Sequence, residues 1–324
     1  MNINEKYFDI AMNKLEQRRT YNSSLLQHRH REICDKLPQY DEYERMLAET
    51  SGKLIALMLG AGDEAPIHLK KLEEGNLALQ QRMKELLTGA GYPEDYLQPI
   101  YTCPVCQDKG IAGNKWCECF NKLMLNAAAE EMNDVSPLKL SSFDSFELGY
   151  YSDEADKNVG ISPREVMRRN LAYCIDYAKD FTLDSDSIYM SGCTGLGKTH
   201  LSLAIADAVI HKGYSVIYGS TPEFLRQLER EYFGRADTDT MSSLTRCDLL
   251  ILDDLGAETE KPVYTSLLYE LINSRISRGL PMIISSNLSV NELRQRYQDR
   301  ICSRIISFET LMFIGQDVRR KLRK

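Results

Sequence analysis

Eight consecutive residues, Gly192-Cys193-Thr194-Gly195-Leu196-Gly197-Lys198-Thr199, satisfy every fixed position of the phosphate-loop pattern G-x-x-x-x-G-K-[ST]. Glycines at those positions let bare backbone N–H groups converge on one point, which suits a polyphosphate. Lys198 would reach the β- and γ-phosphates, the Thr199 hydroxyl would ligate Mg²⁺, and His200 follows as a further nucleotide contact. Leu249-Leu250-Ile251-Leu252-Asp253-Asp254 is an apolar run ending in two carboxylates, with Asp253 55 residues beyond Lys198. Asp253 fits the Mg²⁺ shell beside Thr199, and Asp254 fits the positioning or activation of the attacking water. Glu258 is a second candidate for that role. Asn287 closes another apolar run, Pro281-Met282-Ile283-Ile284-Ser285-Ser286-Asn287, and its amide could orient water against the γ-phosphate. The chemistry is binding and hydrolysis of a nucleoside triphosphate with Mg²⁺.

A second cluster of reactive types is Cys103-Pro104-Val105-Cys106 followed by Cys117-Glu118-Cys119, four of the nine cysteines within 17 residues. Two close thiol pairs can meet on one tetrahedral Zn²⁺. The intervening Asp108-Lys109-Gly110, Gly113-Asn114 and Trp116 suit a hairpin. Reduced structural thiols are the alternative. A redox pair is disfavoured, because no thioredoxin-like strand pattern surrounds it.

The elements that must position these groups follow from the pattern. Ile188-Tyr189-Met190 reads as a short buried strand before the phosphate loop, and His200 to Ile210 as the helix after it. Tyr214 to Tyr218 is a further strand, Thr221-Pro222-Glu223 opens a helix reaching about Phe233, and Gly234 to Thr240 is a polar loop. Ser162 caps a helix with Pro163 in its first turn, running toward Tyr177, and Ser289-Val290-Asn291-Glu292 is a capping box. Alternating strands and helices predict an α/β fold with a parallel sheet flanked by helices. The two acids and Asn287 would lie at the carboxyl edge of that sheet, where ligands bind.

Upstream, the chain reads as polar helices. Tyr7, Ile10, Ala11 and Leu15 form one stripe, Tyr43, Met46, Leu47, Leu54, Leu57 and Met58 a second, and Leu69, Leu72, Leu79, Met83 and Leu86 a third. Leu37-Pro38 and Glu64-Ala65-Pro66 separate them, and Gly89-Ala90-Gly91 ends the third. Each stripe is the core side of a small helical assembly or a partner-docking face. The expected organisation is a helical partner-binding region over 1–100 and a zinc module with its following helix over 101–132. A linker and lead-in segment over 133–160, taking in Asn133 to Pro137, Phe143 to Phe146 and Ser152 to Asn158, and an ATPase domain over 161–324 complete it.

A net charge of −7 gives no global footprint for nucleic acid, but Asn291 to Lys324 holds nine Lys/Arg against four Asp/Glu. Those cations (Arg294, Arg296, Arg300, Arg304, Arg319, Arg320, Lys321, Arg323, Lys324) suit phosphate contacts with DNA, or nucleotide and subunit contacts instead. No secretion signal, no membrane-spanning run and nine unexported cysteines point to a reducing cytoplasm and no membrane partner.

The ordered motifs Gly-Cys-Thr-Gly-Leu-Gly-Lys-Thr-His-Leu, Asp-Leu-Leu-Ile-Leu-Asp-Asp-Leu-Gly, Ile-Ile-Ser-Ser-Asn-Leu, Arg-x-x-x-Arg at Arg300 and Arg304, and Gly-x-Asp-x-Arg from Gly315 resemble a known group. It is the AAA+ ATPases of the DnaC/DnaI helicase-loader and IstB transposition-helper type, matched from roughly Phe143 to Lys324. The stretch from Gly91 through Cys119 is similar to the cysteine-bearing region of DnaI-like loaders. The resemblance implies that Asn287 is sensor 1, Arg304 an arginine finger with Arg300 beside it, and Arg319 the sensor 2 arginine. A finger acts on ATP held by a neighbouring subunit, so the resemblance also implies self-association or pairing with a related AAA+ protein. The nine residues after Gly315 leave no room for the helical lid that follows sensor 2 in many AAA+ proteins. The implied function is an ATP-dependent loader of the replicative DNA helicase that engages single-stranded DNA. A transposase helper and a nucleotide-dependent scaffold without turnover are the alternatives.

Overall fold

In a computed structural model of the chain, the described residues are 5–59, 65–134, 140–156, 160–236 and 239–319. The side chains of 51–59, 65–69, 134 and 298 fall outside them. The apolar positions Leu54, Leu57, Met58 and Leu69, the break at Glu64, the linker residues Val135 to Pro137, Asn158, and the cations from Arg320 to Lys324 therefore lie outside the described residues.

Two compact units divide the chain, Met12–Phe120 and Met1–Ala11 with Asn121–Lys324. In the first unit lie most of α1 (Glu5–Lys36), α2 (Pro38–Leu59) and α3 (Ala65–Gly89), then a two-stranded antiparallel hairpin of β1 (Ile111–Ala112) and β2 (Lys115–Trp116). Pro38 starts α2 as the first-turn residue whose missing N–H costs nothing there. Ile33, Tyr40, Met83 and Leu87 form a buried cluster, with Leu37, Tyr43, Leu47 and Leu86 packed on it. Of the described stripe residues, Ala11, Leu15 and Met83 are buried and the others half-buried, except Met46, which stays 45% exposed.

The helix α4 (Glu118–Asp134) leads into the second unit. Asn133 and Asp134, read above as linker, are its last turn. The Asn133 side chain bridges a strand edge, donating to Val216 O at 2.7 Å and accepting from Tyr218 N at 3.0 Å. There follow α5 (Pro163–Asp180), β3 (Ile188–Gly192), α6 (Lys198–His211), β4 (Val216–Ser220), α7 (Thr221–Tyr232), α8 (Thr240–Arg246), β5 (Leu249–Leu255), α9 (Pro262–Arg278), β6 (Met282–Ser286), α10 (Val290–Ile306) and β7 (Glu309–Phe313). The five longer strands form an all-parallel sheet in the order β4-β5-β6-β3-β7.

Both faces are covered, which explains why the strands read as continuous apolar runs. Tyr189, Ile217, Leu250, Leu252 and Ile284 pack with α7 to α10 on one side. Ile188, Met190, Val216, Leu249, Ile251 and Ile283 pack with α5 and α6 on the other. Both arms of the Ser289–Glu292 capping box are present, and Ser162 accepts from Glu165 N.

Three further details differ from the sequence reading. The second strand of this unit starts at Val216 rather than Tyr214, because Tyr214 N bonds Val209 O and Ser215 N bonds the Asp248 side chain, finishing the preceding turn. A helix, α8, begins where the polar loop ends, its first amides held by the Glu231 carboxylate. The edge strand β7 was not anticipated; it is buried only at Leu311 and Phe313.

Candidate nucleotide-binding site

The phosphate loop joins β3 to α6 at the carboxyl edge of the sheet. Gly197 ends the loop in the left-handed region (φ 89°) as the N-cap of α6. A side chain there would also meet Phe146 at 2.8 Å and the Tyr151 hydroxyl at 2.9 Å. Gly195 has φ 75°, and a Cβ on it would lie 1.9 Å from Asp317 Oδ1. These two glycines are demanded by conformation and by space together.

Lys198 is buried. Its Nζ donates to Gly192 O at 2.6 Å, Cys193 O at 2.8 Å and Asn287 Oδ1 at 2.7 Å. Burial pushes its pKa down, opposed by the charges of Asp254 and Asp253. The Thr199 hydroxyl donates to Asp253 Oδ2 at 2.7 Å, and the Ser285 hydroxyl donates to Asp253 Oδ1. Two oxygen donors side by side, one of them a buried carboxylate, fit a hard cation such as Mg²⁺. Asp254 sits where β5 loses register with β6, in the left-handed region (φ 54°), its N–H donating to Ser285 Oγ at 3.0 Å. Burial first, then the Asp253 charge, pushes its carboxyl up; Lys198, Arg319 and the Asn287 amide pull the other way. A strained acid with a raised affinity for protons facing the phosphate loop is suited to handling a water molecule.

The cavity has a volume of about 590 Å³, and its lining includes Thr194 to His200, Asp254, Asn287, Val318 and Arg319. Sequence reasoning missed its opposite wall. The stretch from Ser142 to Tyr151, treated as a lead-in, makes two short 3-10 turns, Phe143–Ser145 and Leu148–Tyr150, against the loop. Phe146 stacks with Tyr151 at 5.8 Å and meets His200 edge-on at 5.4 Å, and Tyr151 OH donates to Leu196 O at 3.0 Å. His200 Nε2 lies 3.1 Å from Ser142 O and 3.2 Å from Ser145 Oγ. A flat aromatic wall beside a phosphate cradle is suited to a nucleobase. Only the spacing of Phe143, Phe146 and Tyr151 hinted at it.

Four of the sequence-predicted residues converge with the loop: Asp253, Asp254, Asn287 and Arg319. Val318 N donates to Gly195 O at 3.0 Å, which seats Arg319 at the cavity. Arg300 and Arg304 do not line it. Arg304 donates to Asn273 Oδ1 at 2.8 Å and to Tyr269 OH at 3.2 Å, with its guanidinium 4.8 Å from the Tyr269 ring centroid. Arg300 lines a separate cleft of about 690 Å³ with Tyr269, Arg296 and Glu260. Glu258 is also absent from the nucleotide cavity. Its buried carboxylate accepts from Gly256 N at 3.0 Å, Arg296 Nε at 3.4 Å and the Tyr297 hydroxyl, so its role is to hold α10. Arg296 and Arg304, offered above either to DNA phosphates or to nucleotide and subunit contacts, make hydrogen bonds within the protein.

In the other unit, Cys103, Cys106, Cys117 and Cys119 bring their four sulfurs within 4.8 Å of one another. Cys103 Sγ is 3.8 Å from Cys117 Sγ, and Cys106 Sγ is 3.4 Å from Cys119 Sγ. Four thiolates about 2.3 Å from a tetrahedral Zn²⁺ stand about 3.8 Å apart, so the residues fit that ion. The turn between the first pair and the hairpin is fixed by buried Asp108, which accepts from Thr102 N at 2.7 Å and Cys103 N at 2.8 Å.

A parallel sheet with a phosphate loop after β3, paired acids on β5 and a polar amide after β6 defines a P-loop nucleotide-binding domain. Residues 164–310 match the family described as IstB-like ATP binding protein. The chain is similar to the replicative helicase loader DnaI of Bacillus subtilis (strain 168), 30% identical over 125 residues, 38% of this chain and 40% of that protein. It is also similar to a protein of Mycobacterium tuberculosis described as an ATP-binding protein in an insertion sequence, 32% identical over 106 residues, 33% of this chain and 42% of that one. The chain spans about two-fifths of the length of these curated relatives. The crystal structure of the DnaC helicase loader aligns with a TM-score of 0.46 at 22% identity, over 54% of this chain and 97% of that one. Among the described residues no helix is long and apolar enough to cross a membrane.

Proposed function

We propose that the chain is an ATP-dependent loader of the replicative DNA helicase, which binds and hydrolyses ATP and engages single-stranded DNA in the cytoplasm. The observation that carries the nucleotide reading is the Thr199–Asp253 hydrogen bond at 2.7 Å, placed beside Lys198 at the mouth of a glycine cradle. Backbone N–H groups of Gly192 to Thr199 bind the phosphates, and Lys198 exchanges its present carbonyl partners for the β- and γ-oxygens. When bound at Thr199 and Asp253, Mg²⁺ supplies charge neutralisation for those phosphates. Asp254 and Asn287 orient the attacking water, and Arg319 adds positive charge at the same cavity. Arg304, turned away from its own cavity, is assigned to the nucleotide of a neighbouring subunit, where such a group is worth about 10³–10⁵ in rate.

The cysteine hairpin favours loading over other uses of the same ATPase, because its sequence resembles that of DnaI-like loaders. Cys103, Cys106, Cys117 and Cys119 hold Zn²⁺ there, and the helical unit around them is assigned to the helicase. A second reading, helper of a transposase, is favoured by the insertion-sequence relative at 32% identity.

The test adds the full chain to the cell's replicative helicase on single-strand-binding-protein-coated DNA and follows unwinding with ATP. Stimulation that disappears in Lys198→Ala is expected. Unchanged unwinding, together with stimulation of a transposase from the same genome, would replace the first reading with the second. No phosphate release from the parent, with or without single-stranded DNA, would reduce the chain to a scaffold, and equal release by the parent and Asp254→Asn would remove Asp254 from its role.

A further inference from the structure

Where α1 and α2 turn back on each other, three side chains converge that neither nucleotide chemistry nor the four-cysteine cluster uses. His30 and Cys34 are one helical turn apart and share a face of α1. Leu37 N donates to Ile33 O at 2.7 Å, Pro38 opens α2, and Glu44 then faces back across the helix pair. One ligating atom from each of His30, Cys34 and Glu44 lies within 4.8 Å of the other two. His30 Nε2 is 2.6 Å from Glu44 Oε2, and Cys34 Sγ is 3.7 Å from His30 Nδ1 and 3.9 Å from Nε2.

An imidazole–carboxylate pair accounts for the first of these distances. It gives no reason for a thiol to face the same ring. Asp35 and Asp41 stand on either side of the same turn in sequence. Of these acids, Asp41 is paired with the exposed Arg45. One nitrogen, one sulfur and one carboxylate oxygen are the donor set of a borderline divalent metal, with bonds of about 2.0–2.1, 2.3 and 2.0–2.2 Å for zinc. Closing on such an ion requires the 2.6 Å imidazole–carboxylate contact to open to about 3.3 Å, within the reach of side-chain rotation. All three groups are half-buried, so an ion can enter from solvent and keep a water ligand.

We propose that His30, Cys34 and Glu44 form a second metal site, distinct from the cysteine hairpin, taking a zinc-class divalent cation with three protein ligands and water in the fourth position. Bound there, the ion fastens α1 to α2 and leaves one exchangeable coordination position at the surface.

The experiment uses full-length protein loaded with zinc, freed of excess by gel filtration, and measured for metal per chain by mass spectrometry. Cys34→Ala and Glu44→Gln are each expected to hold about one equivalent less than the parent, while Cys103→Ser loses the other site and keeps this one. Cobalt(II) in place of zinc in the Cys103→Ser protein should give a thiolate charge-transfer band that Cys34→Ala removes. Glu44→Gln keeps the shape of the side chain, so its unchanged helicity by circular dichroism separates loss of a ligand from loss of the fold. Equal zinc content in the parent and both variants would overturn the proposal, as would a cobalt spectrum indifferent to Cys34.

Discussion

The Tyr297 hydroxyl, on the helix that carries Arg300 and Arg304, donates to the Glu258 carboxylate four residues beyond Asp254. Arg296 on the same helix donates to the Glu258 backbone carbonyl as well. The end of the acid-bearing strand and the helix bearing the finger candidate are therefore fastened by one buried glutamate. Tyr297→Phe removes a donor from that acceptor and is expected to cost about 1–3 kcal/mol. Denaturant unfolding would measure it, with ATP affinity unchanged.

Lys198 and Asn287 share a 2.7 Å hydrogen bond that nucleotide must compete with. Lys198→Ala should weaken ATP by roughly 10- to 100-fold, the worth of one or two charged hydrogen bonds. Asn287→Ala should leave affinity within a few fold and depress phosphate release. Titration with a fluorescent ATP analogue beside steady-state turnover separates the two effects.

The raised carboxyl of Asp254 gives a pH signature. Its proton is held more tightly in the folded protein than at the ordinary value of 3.8, so the stability it contributes is complete below 3.8 and is lost as pH rises through the raised value. Without nucleotide, Asp254→Asn should therefore melt higher than the parent at neutral pH, and the difference should close below pH 3.8. Asparagine tolerates the left-handed backbone as aspartate does, so the exchange adds no strain. Phosphate release should fall by roughly 100-fold or more.

Arg275 is fully buried, and among the described residues no carboxylate forms an ion pair with it. It donates to the carbonyls of Leu244, Cys247, Asp248 and Pro281, tying the end of α8 to the chain entering β5 and β6. Arg275→Ala strands those carbonyls and should cost more than about 3 kcal/mol. Arg275→Lys recovers only part of this, because an ammonium lacks the planar fork. Thermal unfolding of both variants checks the order.

With zinc held by the four cysteines as proposed, stripping it should unfold the 103–119 segment, since its strands are two residues long and bury little. ATP affinity should remain within about twofold of the loaded protein. Proteolysis confined to that segment after chelation would show it.

Much of the ATPase unit was legible because each signal was local. The phosphate loop, the apolar run into Asp253, the capping box and the Ser162 cap all state their geometry within a few residues. The aromatic wall did not, because Phe146 and Tyr151 act on a loop some 45 positions away, and nothing in their neighbours names that destination. β7 was missed because an edge strand with two buried positions leaves little hydrophobic pattern. The arginines of α10 look alike in sequence, yet Arg296 holds Glu258, Arg300 lines a cleft and Arg304 lies over Tyr269. Partners, not spacing, set those fates.

Val318 N–H holds Gly195 O, while the Asp317 carboxylate occupies the room a side chain on Gly195 would need. The cradle and the segment 315–319 are thus in direct contact. Triphosphate in the cradle is therefore expected to order that segment, and a change in the segment is expected to alter the grip on the nucleotide by the same coupling.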